Sequence, residues 1–595
     1  DIESLSFATV QGERIPVNRS ILRNADNDAR THNFRWEVEV NLDSLNFLRV
    51  IPTFRFNSAG NVSEATTVQR SGIGNQDQFT NNQNKNKTPE FGGSIFYQHM
   101  FSGNKRRNFS AQADFNSNDY EAEQDQMQRI LYLNEAADDI ELDSLVQRII
   151  ARKNLRDNYR GSVTYVEPLS TNTQFEFNGQ LNYNGYDNNA TTRNVTADGF
   201  SSVIDSLSNI FKYSFTQGRV ALNYRYGLSS SSKVRFSAGV TGVPALLSGT
   251  KASLGTEINR KSFNIIPIAR FEYLWSRQHR ISLNYNGNAN EPTFDQIQPV
   301  RDVTDPQNPV IGNPDLRATF IHTLRTDYSN YIANSKLNYN VNLNASLTEN
   351  AVVRNFQTID DPSYQPGTAG VSRQQIRETR FENSDGIYSL RGRYSINKQL
   401  DNRKYNLAFS GSVEIDNNIT LYEGVKNSVR NLTFRERFGP RINPTEWFEI
   451  NPNVSHTHSK QKNQLFQNNE VNTLALNVDG KVYLWQTNLI GYNASKNFIS
   501  GISANVNNNP LVVNMYYEKE LFDRRGRIGV QVFDVFNQNN FINRDLRTDG
   551  GYTDTKSNAL SRYFMVRMSM RLQKWSGAQG RNGGEVRRRG DGSFM

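Results

Sequence analysis

His456 and His458 stand two residues apart, so on a strand both imidazoles would share one face, as two metal ligands must. No third ligand lies near them in sequence. The other histidines (His32, His99, His279, His322) are scattered, so the pair reads as lumen or rim histidines. Carboxylates gather at Glu121, Glu123, Asp125, Glu135, Asp138, Asp139, Glu141 and Asp143, and calcium would accept such oxygens. The Asp-x-Asp-x-Asp-Gly spacing of a calcium loop is missing, so they read as solvated charge. Gly72-Ile73-Gly74 sits in a polar stretch, without the strand and helix that a nucleotide-binding turn needs. Neither GxSxG, HExxH nor a P-loop occurs. With no Cys there is no thiol nucleophile, disulfide, zinc ribbon or iron–sulfur cluster. Glu37 and Glu39 alternate on a wet face and do not converge on a reacting atom. The sequence therefore offers no catalytic residue, cofactor or metal site, and the expectation is that the protein is not an enzyme.

The elements that would carry these side chains follow a period of two. Leu337, Tyr339, Val341, Leu343, Ala345 and Leu347 alternate with Asn338, Asn340, Asn342, Asn344 and Ser346. Phe34, Trp36, Val38, Val40 and Leu42 alternate with Arg35, Glu37, Glu39 and Asn41. Phe175, Phe177, Leu181 and Tyr183 repeat the pattern, as do Phe564, Val566, Met568, Met570 and Leu572. Successive strand side chains point to opposite faces, so each segment has one apolar and one wet face. Roughly twenty such segments of about 9–14 residues recur, the length of a tilted membrane-spanning strand.

Short and long connections alternate. Asp43-Ser44, Ser102-Gly103-Asn104, Ser170-Thr171-Asn172, Arg277-Gln278-His279 and the stretch from Lys398 to Arg403 are short. Long polar connections are expected over Ser58–Pro89, Ser117–Asp157, Asp187–Ile210, Asn288–Ala318 and Thr358–Asn383. That asymmetry marks an outer-membrane barrel. The apolar face of Phe, Tyr, Val and Leu would meet lipid, and the Asn, Gln, Arg and Glu face a watery lumen. Backbone groups in lipid must all be paired, which requires a closed sheet. The expected fold is thus all-β, a large antiparallel transmembrane β-barrel of about 22 strands with long extracellular loops and short periplasmic turns. A secreted all-β adhesin would show repeating sequence units, and none is seen.

Composition fits. The 595 residues carry 36% hydrophobic and 11% aromatic side chains, too aromatic for a disordered chain. Lys+Arg 68 against Asp+Glu 59 leaves +9, spread in alternating sign, which does not point to nucleic acid. No run of about 18 apolar residues marks a transmembrane helix. Between Gln126 and Leu155, apolar residues such as Ile130, Leu133, Leu142, Leu145, Val146 and Ile149 fit a short amphipathic helix pair inside a loop. Pro52 and Pro267 interrupt strand patterns and are expected near barrel rims. Gly312-Asn313-Pro314-Asp315-Leu316 has the chemistry of a turn. The domain reading is a lead-in or incomplete first strand over 1–29, a barrel over 30–575, and a flexible, Gly-rich tail without alternation over 576–595 containing Arg587-Arg588-Arg589.

Several stretches together resemble a family. They are Asn33-Phe34-Arg35-Trp36-Glu37-Val38, Ile51-Pro52-Thr53-Phe54, Phe91-Gly92-Gly93, Thr164-Tyr165-Val166-Glu167-Pro168-Leu169, Gly312-Asn313-Pro314-Asp315-Leu316 and Asp534-Val535-Phe536-Asn537-Gln538. In this order, from about Arg30 to Trp575, the chain resembles the large outer-membrane β-barrel family of Bacteroidota, related to TonB-dependent receptors. The resemblance implies the cell outer membrane as location, with outer-membrane lipid and lipopolysaccharide around the barrel. Members carry an accessory domain and a plug before the barrel, and no plug-like stretch or TonB box is recognised in this sequence. A plug ahead of Asp1 or a separate lumen-filling protein is therefore expected, with a TonB system or surface lipoprotein as further partners. The functional expectation is energised import of a scarce nutrient (glycan, peptide, siderophore or vitamin), on substrate-binding residues not assignable one by one. The alternative is a non-transporting barrel subunit or scaffold of a multi-protein outer-membrane complex for secretion or barrel assembly.

Overall fold

The computed structural model describes residues 2–570 except 11–12, 73, 135, 197, 200, 205–207, 252–254, 298–300, 303–308, 361–374, 486, 502–510, 523–524, 539–540, 547–551 and 558–561. The expected tail over 576–595 and Glu135 lie outside the described residues. The described strands form one sheet of 31 members. Chain neighbours pair antiparallel, as Asn104–Leu133 does with Ile140–Pro168. Two short parallel pairings, Val310–Ile311 with Thr379–Arg380 and Asn355–Phe356 with Leu421–Tyr422, occur at one end. Some strands are pieces of one stave. Val38–Asn41 continues Glu13–Arg35 with its register against Asn46–Ser71 unchanged. Counted this way, the wall has about 22 staves, an even number as in bacterial outer-membrane barrels.

The wall is hollow. Its accessible surface is 35320 Å² for 67.9 kDa, whereas a compact chain of that mass exposes roughly 21,000 Å². Both faces of the sheet are open, and their chemistry differs. Along Leu337–Glu349, Val341, Leu343 and Leu347 are exposed on one face, while the asparagines between them take the other. Phe34 stacks on Phe54 at 6.1 Å and Phe54 meets Phe91 at 4.8 Å, an aromatic row on the apolar face. Trp275, Trp447 and Trp485 cluster at the short-turn end, with exposures of 47%, 55% and 83%, where an interfacial aromatic belt belongs.

The short turns are locally specified. Asp43 Oδ1 accepts from the Leu45 and Asn46 amides at 2.7 and 2.8 Å, and Oδ2 from Asn46 Nδ2 at 2.7 Å. Those hydrogen bonds, led by the one from Leu45, hold the Asp43 carboxyl below its ordinary range. Ser170 Oγ accepts from the Asn172 and Thr173 amides, both at 3.1 Å.

Three expectations are corrected. The stretches 58–89 and 117–157 are not loops: they are mostly strand, within Asn46–Ser71, Asn75–Phe101, Asn104–Leu133 and Ile140–Pro168. The helix pair between Gln126 and Leu155 is absent, because both segments pair with each other as strands. Thirty residues of strand reach about 100 Å along the chain, while the apolar band of a barrel is only about 25 Å tall. These hairpins therefore project beyond the membrane, where both faces meet water and alternation fades. Pro52 and Pro267 lie inside ladders, opposite Gly93 and Val240, not at the rims. Pro52 accepts from the Trp36 amide at 3.2 Å but has no N–H to return, and the neighbouring strand breaks at Trp36-Glu37.

At the seam, Ile2–Val10 pairs with Glu13–Ile21 on one side and with Tyr552–Thr555 on the other. Below it, Leu22–Arg35 and Tyr563–Met570 each pair on one side only among the described residues. Phe564, Val566, Met568 and Met570 are accordingly 66–76% exposed.

Candidate functional site

Register, not sequence proximity, assembles the lumen face. Across the sheet below its tall hairpins, inward carboxylates and guanidinium groups pair. Arg49 lies 3.7 Å from Glu37 and 3.9 Å from Glu39. Asp114 binds Arg160 at 2.6 Å and accepts from Gln112 Nε2 at 2.7 Å. Arg225 and Glu176 pair at 3.0 Å with both side chains almost buried. Arg35, Arg49, Gln112, Asp114 and Asn116 line a recess of about 590 Å³ in this wall, floored by Gly92. A Cβ on Gly92 would come within 2.9 Å of Asn116 Oδ1 and 3.0 Å of the Phe115 carbonyl, so the close approach needs glycine.

Above these pairs the inner face changes character. Inward residues of Ile140–Pro168 include Arg148, Arg152, Arg156 and Arg160, four apart on one face. Only Arg160 meets a carboxylate among the described residues. Arg156 sits opposite Asn118 on one neighbouring strand and Tyr186 on the other. Tyr186 sits opposite Tyr213, their rings 5.3 Å apart, and Phe211 lies 5.7 Å from Tyr186. Burial pushes the Tyr186 phenol above its ordinary value, while Arg156 pulls it down and Asp295 pushes it up. Glu121 and Asp143 of the same hairpins are on the outer face: Lys153 pairs with Glu121 at 3.2 Å, Lys87 with Glu121 at 2.8 Å, and Arg129 with Asp143 at 2.6 Å. Of the acidic run, Glu121 and Asp143 thus form surface ion pairs.

The described parts of the connection 291–318 fold over the mouth. Its four-residue helix Phe294–Ile297 and the Gly312–Leu316 turn deliver Ile297 and Leu316, each 1% exposed, against Leu247. Tyr213, Phe215, Ile258, Val352 and Phe381 surround them. Since Tyr213 and Phe215 point inward, this connection is a lid drawn into the lumen mouth. Each buried aliphatic contributes about 1.5–3 kcal/mol. Asn313 closes the turn: its amide donates to Gln296 O at 2.7 Å, its Nδ2 to Phe381 O at 3.1 Å, and its Oδ1 accepts from the Asp315 amide at 3.0 Å. Fully buried Glu378 latches the lid to the Gln375–Ser384 strand, with Arg301 at 2.5 Å and Arg380 at 2.8 Å. The Thr379 amide donates to Pro309 O at 2.9 Å beside it.

A model of the outer membrane protein beta-barrel family matches residues 99–571. The chain belongs to this family. That membership places it in the outer membrane, with the short turns periplasmic and the tall hairpins and lid extracellular. No curated protein matches it. Among solved structures, the Serratia marcescens hemophore receptor HasR is similar at 10% identity and TM-score 0.43, over 93% of this chain and 80% of that one. The Pseudomonas aeruginosa ferric enterobactin receptor PfeA is similar at 10% identity and TM-score 0.36, over 93% and 86%. The Escherichia coli outer membrane transporter YddB is similar at 10% identity and TM-score 0.36, over 96% and 80%.

Within the family's barrel, the residues singled out from sequence are placed as follows. His456 and His458 share a face as expected, but it is the outer one, with Val454. His458 Nδ1 lies 2.7 Å from Asn472 Oδ1 and 3.9 Å from Glu470, a carboxylate that register supplies. Gly312–Leu316 is a turn, and its Leu316 anchors the lid. Arg156, Tyr186 and Glu378 were not singled out. The inward arginine repeat at 148, 152, 156 and 160 was the one available signal for the first of them.

Proposed function

We propose that this chain is the barrel of an energised importer, through whose lumen a polar solute crosses the outer membrane. The observation that supports this most is the hollow wall with a paired, polar inner face beneath a lid drawn into its extracellular mouth. Solute would be captured above, where Arg156 and the inward rings stand, and would pass the Arg160–Asp114 level on its way down. The lid and its Glu378 latch restrict entry. A lumen this wide needs a further occupant to keep the membrane tight, either a plug joined to the barrel or a separate protein, and a TonB-type system would supply the energy. No step of this reading requires catalysis by the chain.

The test is accumulation of radiolabelled solute in a strain lacking the protein and in the complemented strain. Accumulation should depend on the protein and should collapse when the proton-motive force is dissipated. Protein-dependent accumulation that survives dissipation would reduce the barrel to a passive pore, and no protein-dependent accumulation of any polar solute class would remove the import reading.

A further inference from the structure

On the tall extracellular hairpins, outer-face carboxylates are held by cations, whereas two inner-face arginines have no carboxylate against them. On the outer face, Glu121 is held by Lys87 and Lys153, and Asp143 by Arg129. On the inner face, Arg152 and Arg156 have no carboxylate within 4.0 Å among the described residues, and both are exposed to the lumen. The strands on either side add none: opposite Arg156 stand Asn118 and Tyr186, and opposite Arg152 stand Ala122 and Ala190. One strand further along the same row, beyond Asn118, stands Glu90, and Asp295 of the lid acts with both arginines on Tyr186. The Tyr186 hydroxyl has no hydrogen-bond partner among the described residues, so a hydroxyl able to donate or accept stands beside a guanidinium that only donates.

We propose that this inner face is a binding site for an anionic oligosaccharide, one bearing carboxylate or sulfate groups. The proposal rests on the import reading for its purpose but not for its geometry. Arg152 and Arg156 lie four residues apart, about 13 Å along the strand, so they meet anions carried at intervals on a chain and not one compact ion. Around them the inward positions are amides, including Asn116, Asn118, Asn158 and Asn184, which both donate and accept as sugar hydroxyls require. Tyr186 against Tyr213 gives a ring face on which a pyranose can lie. The pairing of Arg160 with Asp114 ends the unpaired series one step further down, so the site has a floor.

The experiment is isothermal titration of the full chain in detergent with three probes: a chondroitin sulfate hexasaccharide, maltohexaose, and a single-stranded oligodeoxynucleotide of matched charge. The sulfated hexasaccharide should bind, and more weakly as salt rises. Arg152→Gln with Arg156→Gln should lower its affinity tenfold or more, while the outward Lys153→Gln should change it less than twofold. Retained heat-modifiable migration on gels keeps the comparison to folded protein. Equal binding of maltohexaose, equal losses in inward and outward variants, or tighter binding of the oligonucleotide would each overturn the proposal. Binding as expected without protein-dependent accumulation in cells would remove the import reading and leave this site standing.

Discussion

Replacing Glu378 by Gln tests how the lid is held. The carboxylate is fully buried and accepts from Arg301 at 2.5 Å and Arg380 at 2.8 Å. A charge-assisted hydrogen bond contributes roughly 1.5–3 kcal/mol. Both guanidinium groups are about two-fifths exposed, so solvent screening puts each bond at the low end of that range. Gln keeps the shape and one acceptor, but leaves two cations facing each other without a carboxylate. A net loss of about 2 kcal/mol follows, a shift of roughly 30-fold in the equilibrium between latched and released lid. The barrel wall should be untouched, and the Ile297 and Leu316 contacts should still hold the lid's other end. The assay is hydrogen exchange in detergent, read at Val310, Ile311, Thr379 and Arg380, with Leu337–Leu347 as the wall reference. Exchange at the latch should quicken by about 30-fold in Glu378→Gln. Unchanged exchange there, or equal acceleration in the wall, would refute the latch.

Three further outcomes follow. Gly227 has φ +89° and a Cβ there would fall 2.3 Å from Val234 O, so Gly227→Ala should cost about 1–3 kcal/mol and lower the temperature of the heat-modifiable gel shift. Asp43 has a folded pKa below its ordinary 3.8; its contribution to the turn is therefore complete above that value and lost as pH falls through the depressed one. Amide protection at Leu45 and Asn46 should fall in that acid window in the wild type and be weak at every pH in Asp43→Ala. The one-sided strands at the seam, Leu22–Arg35 and Tyr563–Met570, should exchange faster than two-sided Leu337–Leu347 when the chain is purified as it stands; equal protection would mean that these edges are covered.

The barrel was legible because lipid imposes a strict rule on the wall. Within the apolar band one face must be apolar, so Phe34 to Leu42 and Leu337 to Leu347 announce themselves by alternation. The short turns were legible because Asp43 and Ser170 satisfy the amides that follow them. Above the membrane that rule lapses. The residues between Ser117 and Asp157 are polar on both faces, so their strands read as loop, and their scattered apolar residues mimic a helical stripe. What makes them strands is the ladder between Asn104–Leu133 and Ile140–Pro168, a pairing between distant residues. The same holds for the site. Arg156 meets Tyr186 across thirty residues, and Glu378 meets Arg301 across 77; no local pattern encodes either meeting. His456 and His458 show the converse, since their spacing fixed a shared face but not which face it was.

The most direct measurement is cysteine scanning of Asn338 to Leu343 in outer-membrane vesicles, which the absence of native cysteine makes clean. The account predicts that Asn338→Cys, Asn340→Cys and Asn342→Cys react with a charged maleimide from the lumen water. Tyr339→Cys, Val341→Cys and Leu343→Cys should be shielded by lipid and react only after detergent extraction. Equal reactivity at odd and even positions in intact vesicles would contradict a lipid-embedded, water-filled barrel.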